Sequence, residues 1–317
     1  MRIQPIGHGS CRIESQALNY SLSVRGLDAK ALNAFLSGIG SRPIWPGTGS
    51  SDVIRAELLN AEPGPVDMPL VVRELDDGKL ETRSGGPGQV IARPGYHSTK
   101  HLLPQSLHLL LAQQWARAGI LTLHAAVIST PQGGVLILGP RGGGKSVLAM
   151  SALAANLGVV SDDWLLLGRD AGGSIQAERL RAFLMLRRSW ATDQLSGRCA
   201  RLLSRELTGR NKKIIPIPPD SPVFPAREKI TRVWLLNRPR GARSGLSQLR
   251  PTNPAQLLGR LVEASMPLLF STLFKHEHQA MLATARQLIA SARGQLLETG
   301  TDLVDDPQGT WSRLTAT

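Results

Sequence analysis

The run Gly139-Pro140-Arg141-Gly142-Gly143-Gly144-Lys145-Ser146 holds the residues whose types and spacing most directly imply chemistry. It fits G-x-x-x-x-G-K-[ST], in which glycines let successive backbone N–H groups turn toward phosphate oxygens. A helix starting at the lysine adds the positive end of its dipole. Lys145 can then reach β- and γ-phosphates, Ser146 can ligate Mg²⁺, and Val147 completes the expected nucleotide-binding segment from Gly139. The expected ligand is ATP or GTP.

Holding a nucleotide is not transferring its phosphoryl group, which also needs a metal ligand and a group that orients or deprotonates the acceptor. Asp162-Asp163 supplies two carboxylates at the end of a short apolar run, Val159-Val160. Neighbours on an extended strand point to opposite sides, so one carboxylate can face a metal and the other an acceptor. A solvated strand end is the plainer reading of the same pair. His124 is the third candidate. Residues 122–128 and 135–138 are apolar runs separated by a turn-rich stretch, which predicts a β-hairpin. A four-residue loop over 130–133 pairs Ser129 with Gly134 and sets His124 opposite Gly139, beside the mouth of the glycine loop. A strand histidine can also be an ordinary core residue.

The elements that must hold these groups follow from periodicity. A helix is predicted over 146–157, stopped by Gly158, and a further strand over 164–167. Downstream lie a strand over 232–236, a helix opening at Asn253-Pro254 and running to Ser265, and a helix over 279–293 closed by Gly294. The proline-rich stretch over 214–225 reads as an extended surface loop. Upstream, a helix is predicted over 104–118, strands over 18–24 and 69–73, and a helix over 29–38 between them. The expected organisation is an accessory or substrate-recognition domain over 1–100 and a catalytic domain over 101–317.

The residues His124-Ala125-Ala126-Val127-Ile128, Gly133-Gly134-Val135-Leu136-Ile137-Leu138-Gly139, Gly144-Lys145-Ser146 and Val160-Ser161-Asp162-Asp163 together resemble bacterial HPr kinase/phosphorylase and its HPr-kinase-related relatives. The likeness covers about residues 120–170. It implies an α/β fold, with a P-loop kinase core of the HPr kinase and phosphoenolpyruvate carboxykinase type, a mixed sheet, and a smaller α+β N-terminal domain. It further implies an ATP- and Mg²⁺-dependent kinase acting on a serine hydroxyl of a peptide or protein. In that implied scheme Asp163 is the proton acceptor, Asp162 supports the metal or the geometry, Lys145 is an active-site residue and His124 assists at the phosphates. Where the family's later metal-binding glutamate is expected, this sequence has Arg188. The chain therefore looks closer to divergent relatives such as lasso peptide kinases, which points to a biosynthetic precursor peptide as acceptor. A small-molecule hydroxyl kinase on the same core and a non-catalytic nucleotide-binding regulator are the alternatives.

Composition narrows the partners. The formal charge of +13 favours acidic ligands, but the basic residues are scattered and aromatics are only 4%, which disfavours a base-stacking nucleic-acid surface. No apolar run approaches the roughly 20 residues of a membrane span, so the expectation is a cytoplasmic protein without a membrane partner, compatible with a homo-oligomer. Cys11 and Cys199 lie too far apart in sequence for a metal-spacing pair. His276-Glu277-His278 has no known zinc spacing, and Arg187-Arg188 and Lys212-Lys213 read as surface charge.

Overall fold

The computed structural model describes residues 2–7, 10–15, 20–25, 54–59, 70–74, 80–84, 89–92, 115–116, 119–170, 172–180, 183–187, 194–195, 207–208, 212–217, 221–237, 245–265 and 277–316. The chain divides into two compact units, Met1–Ala118 with Thr272–Glu277, and Gly119–Ser271 with His278–Thr317.

In the first unit, β1 (Arg2–Gly7), β2 (Ser10–Ser15), β3 (Tyr20–Arg25), β4 (Ile54–Leu59), β5 (Leu70–Glu74), β6 (Leu80–Ser84) and β7 (Gln89–Ala92) form one sheet. Its order is β1-β2-β3-β4-β7-β5-β6, with β5 and β7 parallel. β3 and β5 fall where strands were expected. The helix predicted over 29–38 lies outside the described residues, as does the one over 104–118 apart from helical residues 115–116.

The second unit opens with β8 (Leu121–His124), β9 (Ala126–Thr130), β10 (Gly133–Leu138), α1 (Lys145–Ala154), β11 (Gly158–Ser161), β12 (Trp164–Arg169) and β13 (Ile175–Arg179). It continues through β14 (Phe183–Arg187), β15 (Leu207–Thr208), β16 (Lys212–Pro216), β17 (Arg227–Asn237), β18 (Gln248–Pro251), α2 (Pro254–Ala264), α3 (His278–Ser291), β19 (Arg293–Glu298), α4 (Asp302–Asp305) and α5 (Pro307–Ala316). A mixed nine-stranded sheet follows the order β11-β9-β10-β17-β13-β12-β8, with β19 also beside β17 and β18 beside β19. β14, β16 and β15 make a separate three-stranded sheet. The expected α/β class with a mixed sheet is therefore present.

β17 is the spine. Its parallel neighbours β10 and β19 place it inside the sheet, and Val233-Trp234-Leu235-Leu236 is buried throughout, as a strand covered on both faces requires. Around it Ile128, Val135, Ile137, Leu148, Leu153, Val159, Leu297 and Trp311 complete the core. Each such aliphatic side chain contributes about 1.5–3 kcal/mol on burial.

Four local expectations are corrected. The hairpin loop is Pro131-Gln132 alone, because Thr130 already pairs with Gly133; the expected Ser129–Gly134 register stands. α1 ends at Ala154, and its stop is Asn156 in the left-handed region (φ 61°), not Gly158. The Leu157 amide donates to the Ala152 carbonyl and the Asn156 amide to that of Leu153, a Schellman closure that satisfies the last carbonyls. α3 ends at Ser291, and Gly294 lies within β19, where a Cβ would collide with the Leu257 side chain of α2. That glycine permits helix–sheet approach rather than ending a helix. The expected surface loop over 214–225 starts instead as part of β16, and among its described residues Ile215, Ile217 and Phe224 are buried.

Candidate functional site

The site forms where two passes of the chain change neighbours together. β8 pairs with β12 and β9 with β11, both antiparallel. The register runs straight through the junction: Ser161 lies opposite Val127 and Trp164 opposite His124. Ala125 on one pass therefore faces Asp163 on the other, and its amide donates to the Asp163 carbonyl at 2.7 Å. The junction brings together His124 and Asp163, which reach solvent, and Asp162, which is buried.

The hairpin arithmetic for His124 fails at the same place. β9 and β10 stay paired only to Ala126 and Ile137. Beyond that β10 keeps to β17, Leu138 beside Leu235, and the glycine loop begins. His124 is opposite Trp164 and not Gly139. Its imidazole still meets the site, through Asp163: Nε2 lies 3.0 Å from Oδ1, with the side chains 31% and 18% exposed and so reachable from solvent.

The loop itself leaves β10 and turns tightly, the Gly143 amide donating to the Pro140 carbonyl at 3.0 Å. Gly142 and Gly144 have φ of 76° and 104°, a region other residues enter at a cost, and a Cβ at either would stand in open space. The N-terminus of α1 has no side-chain cap and no acidic residue in its first turn, so the orphan amides of that turn are left for another acceptor. Pro140 and Arg141 are exposed, Gly143, Ser146 and Val147 half-buried.

Lys145 is buried, and its Nζ donates to the carbonyls of Gly139 and Pro140 at 2.9 and 3.2 Å. Burial pushes its ammonium below the ordinary lysine range, against the pull of Asp163 and then Asp162. Asp162 is buried, and the Ser146 hydroxyl donates to its Oδ2 at 3.5 Å. The two adjacent carboxylates thus serve two directions, Asp162 toward the helix start and Asp163 toward His124.

An open cradle with left-handed glycines, an uncapped helix start and a buried ammonium fits a polyphosphate. Ser146 and Asp162 fit a Mg²⁺ ion that takes its remaining ligands from phosphate and water, as Mg²⁺ commonly does. Among the described residues there is no group of three or more His, Cys, Asp or Glu able to hold a metal unaided. His276, Arg188 and Cys199 lie outside the described residues. No described helix is long and apolar enough to cross a membrane.

Two residues beside the site carry no motif. Trp164 faces His124 with ring centroids 5.6 Å apart. Ser151, within α1, donates to the Leu303 carbonyl at 2.7 Å and accepts from Trp311 Nε1 at 3.0 Å, tying the helix behind the loop to α4 and α5. Only long-range pairing reveals either.

No family model matches the chain, and no curated protein matches it. Among solved structures, the Hpr(Ser) kinase/phosphatase from Coxiella burnetii matches at 17% identity and a TM-score of 0.27, covering 51% of this chain and 98% of that one. At that identity and score the likeness assigns no residue its role.

Proposed function

We propose that this chain is an ATP- and Mg²⁺-dependent phosphotransferase that moves the γ-phosphoryl group to a serine hydroxyl of a peptide or protein. The observation that carries the reading is the division of the Asp162-Asp163 pair, one carboxylate 3.5 Å from the loop serine and the other 3.0 Å from a histidine. A nucleotide-binding regulator needs the first arrangement but has no use for the second. The motif resemblance around residues 120–170 supports the same reading and points to a serine acceptor, with a biosynthetic precursor peptide as the expected kind.

In this reading the loop amides and Lys145 hold the β- and γ-phosphates, and Ser146 with Asp162 holds the metal. Mg²⁺, when bound, neutralises charge building on the phosphate oxygens. Asp163 accepts the hydroxyl proton while the serine oxygen bonds to the γ-phosphorus and the bond from that phosphorus to the β,γ-bridging oxygen breaks. His124 orients the Asp163 carboxylate. No further residue is required for the proton and charge balance.

The test combines purified full-length protein, Mg²⁺, γ-labelled ATP and a pool of serine-containing peptides. Label on peptide serine, lost in Asp163→Asn while nucleotide binding persists, is the expected result. Label on a small hydroxyl compound instead would make the chain a small-molecule kinase. Binding of ATP with no consumption across both acceptor classes would leave a regulator.

A further inference from the structure

We infer that Trp164 is a positioning residue for His124, fixing the imidazole on Asp163; this rests on the phosphotransfer reading of the site. Directly opposite residues of an antiparallel pair project to the same face, and His124 and Trp164 are such a pair. Their rings sit 5.6 Å apart at 43°, within the range of an offset aromatic contact. At 31% exposed, the His124 side chain is not enclosed by core packing, so χ1 and χ2 need restraint from the groups it touches. The indole provides that restraint from one side and the Asp163 carboxylate meets Nε2 from the other.

The chain reaches Trp164 immediately after Asp163, so the same β12 start that places the carboxylate also places the wall behind its partner. A neutral imidazole hydrogen-bonded to a carboxylate through Nε2 carries its proton there, leaving Nδ1 free. Loss of the indole frees the ring to turn and to mix tautomers, while the glycine loop and Lys145 are left unchanged to hold nucleotide.

The experiment uses the full chain labelled with ¹⁵N-histidine at one fixed pH. Long-range N–H couplings assign the His124 tautomer, with His124→Gln identifying its signals. Wild type is expected to show the Nε2–H form, Trp164→Phe to retain it, and Trp164→Ala to show a mixture. In the transfer assay Trp164→Ala is expected to lower kcat about tenfold to a hundredfold with KM for ATP within about twofold. Trp164→Phe should recover most of that loss. In a His124→Ala background the Trp164→Ala change should add less than about twofold, since its effect runs through the histidine.

An unmixed Nε2–H tautomer in Trp164→Ala overturns the inference, as does an undiminished effect in the His124→Ala background. If Trp164→Ala does not fold, Trp164→Leu, which fills volume without a ring, takes its place under the same criteria. Should wild type transfer nothing to any acceptor, the phosphotransfer reading falls, and the tautomer comparison alone still decides the role of Trp164.

Discussion

The Ala125 amide donates to the Asp163 carbonyl at 2.7 Å, across the junction where β8 gives way to β9 and β11 to β12. The bond couples the two passes that carry His124 and the Asp162-Asp163 pair. Ala125 is fully buried, so its donor has no water to turn to if the partner is lost. Replacing it by proline removes the N–H and restricts His124 as the preceding residue. Ala125→Pro should lower stability by about 1–3 kcal/mol, for the lost bond together with the restriction on His124, read as a lower urea midpoint. An unchanged midpoint would mean that the junction does not depend on this bond.

Asp163→Asn tests the chemistry at the same place with little change of shape. An amide cannot accept the hydroxyl proton, and a positioned base contributes about 10²–10⁴-fold. The expected kcat loss lies in that range, with ATP affinity little changed because Ser146, Lys145 and the loop amides remain. Equal turnover by wild type and variant would remove Asp163 from the base role.

Lys145→Met separates nucleotide binding from folding. Charge-assisted contacts to phosphate are worth about 1.5–3 kcal/mol each, so ATP affinity should fall by about tenfold to a hundredfold or more. Stability moves the other way. The folded ammonium is held below its ordinary value of 10.5, chiefly by burial, so the folded state binds this proton more weakly than the unfolded chain does. The burial penalty is complete at neutral pH and disappears as pH climbs through the lowered value toward the ordinary one. Nucleotide-free Lys145→Met should melt above wild type near pH 7, and the two should converge toward pH 10. A variant less stable than wild type at pH 7 would show that Asp162 and Asp163 outweigh burial.

How far the sequence foretold this site depends on how local each feature is. The glycine loop is legible because its parts are contiguous: Gly144, Lys145 and the start of α1 need no distant partner. The Ser129–Gly134 register is legible for the same reason, a two-residue turn having little freedom. His124 comes beside Asp163, but not by the register that sets it opposite Gly139. That register assumes that β9 and β10 stay paired, whereas β10 follows β17, whose residues 230–235 lie far along the chain. Trp164 was invisible as a site residue because only the β8–β12 pairing brings it to His124. Glycine was over-read as helix punctuation: Asn156 ends α1, and Gly294 makes room for Leu257.

Ser151→Ala probes the support behind the loop. The Ser151 hydroxyl is fully buried between the Leu303 carbonyl and the Trp311 indole N–H, and Trp311 also stacks on Trp234 at 5.5 Å. Alanine leaves a donor and an acceptor without this partner in the core. The expected cost is about 1–3 kcal/mol, with a lower denaturation midpoint and KM for ATP little altered. A fall in ATP affinity larger than the change in stability would instead mean that α1 shifts as a unit when its tie to α5 is cut.

Asp302 makes a prediction at acid pH. Its carboxylate accepts from the Ser247 amide at 2.9 and 3.0 Å, from the Ser247 hydroxyl at 2.6 Å and from Arg313. The Gly300 amide donates in turn to the Ser247 hydroxyl at 2.9 Å. Burial alone pushes the carboxyl up; the Ser247 hydroxyl and amide and the Arg313 guanidinium together outweigh it and hold the group below its ordinary 3.8. A depressed carboxyl stabilises the fold fully above the unfolded value and loses that contribution as pH falls through the folded one. Asp302→Asn should therefore be less stable than wild type near pH 7, by about 1–3 kcal/mol for the weakened charge-assisted bonds. Below about pH 4 the two denaturation midpoints should approach each other. A difference that stays constant from pH 7 to pH 3 would show that the Asp302 contribution is geometric and not ionic, the hydrogen-bond pattern mattering while the charge does not.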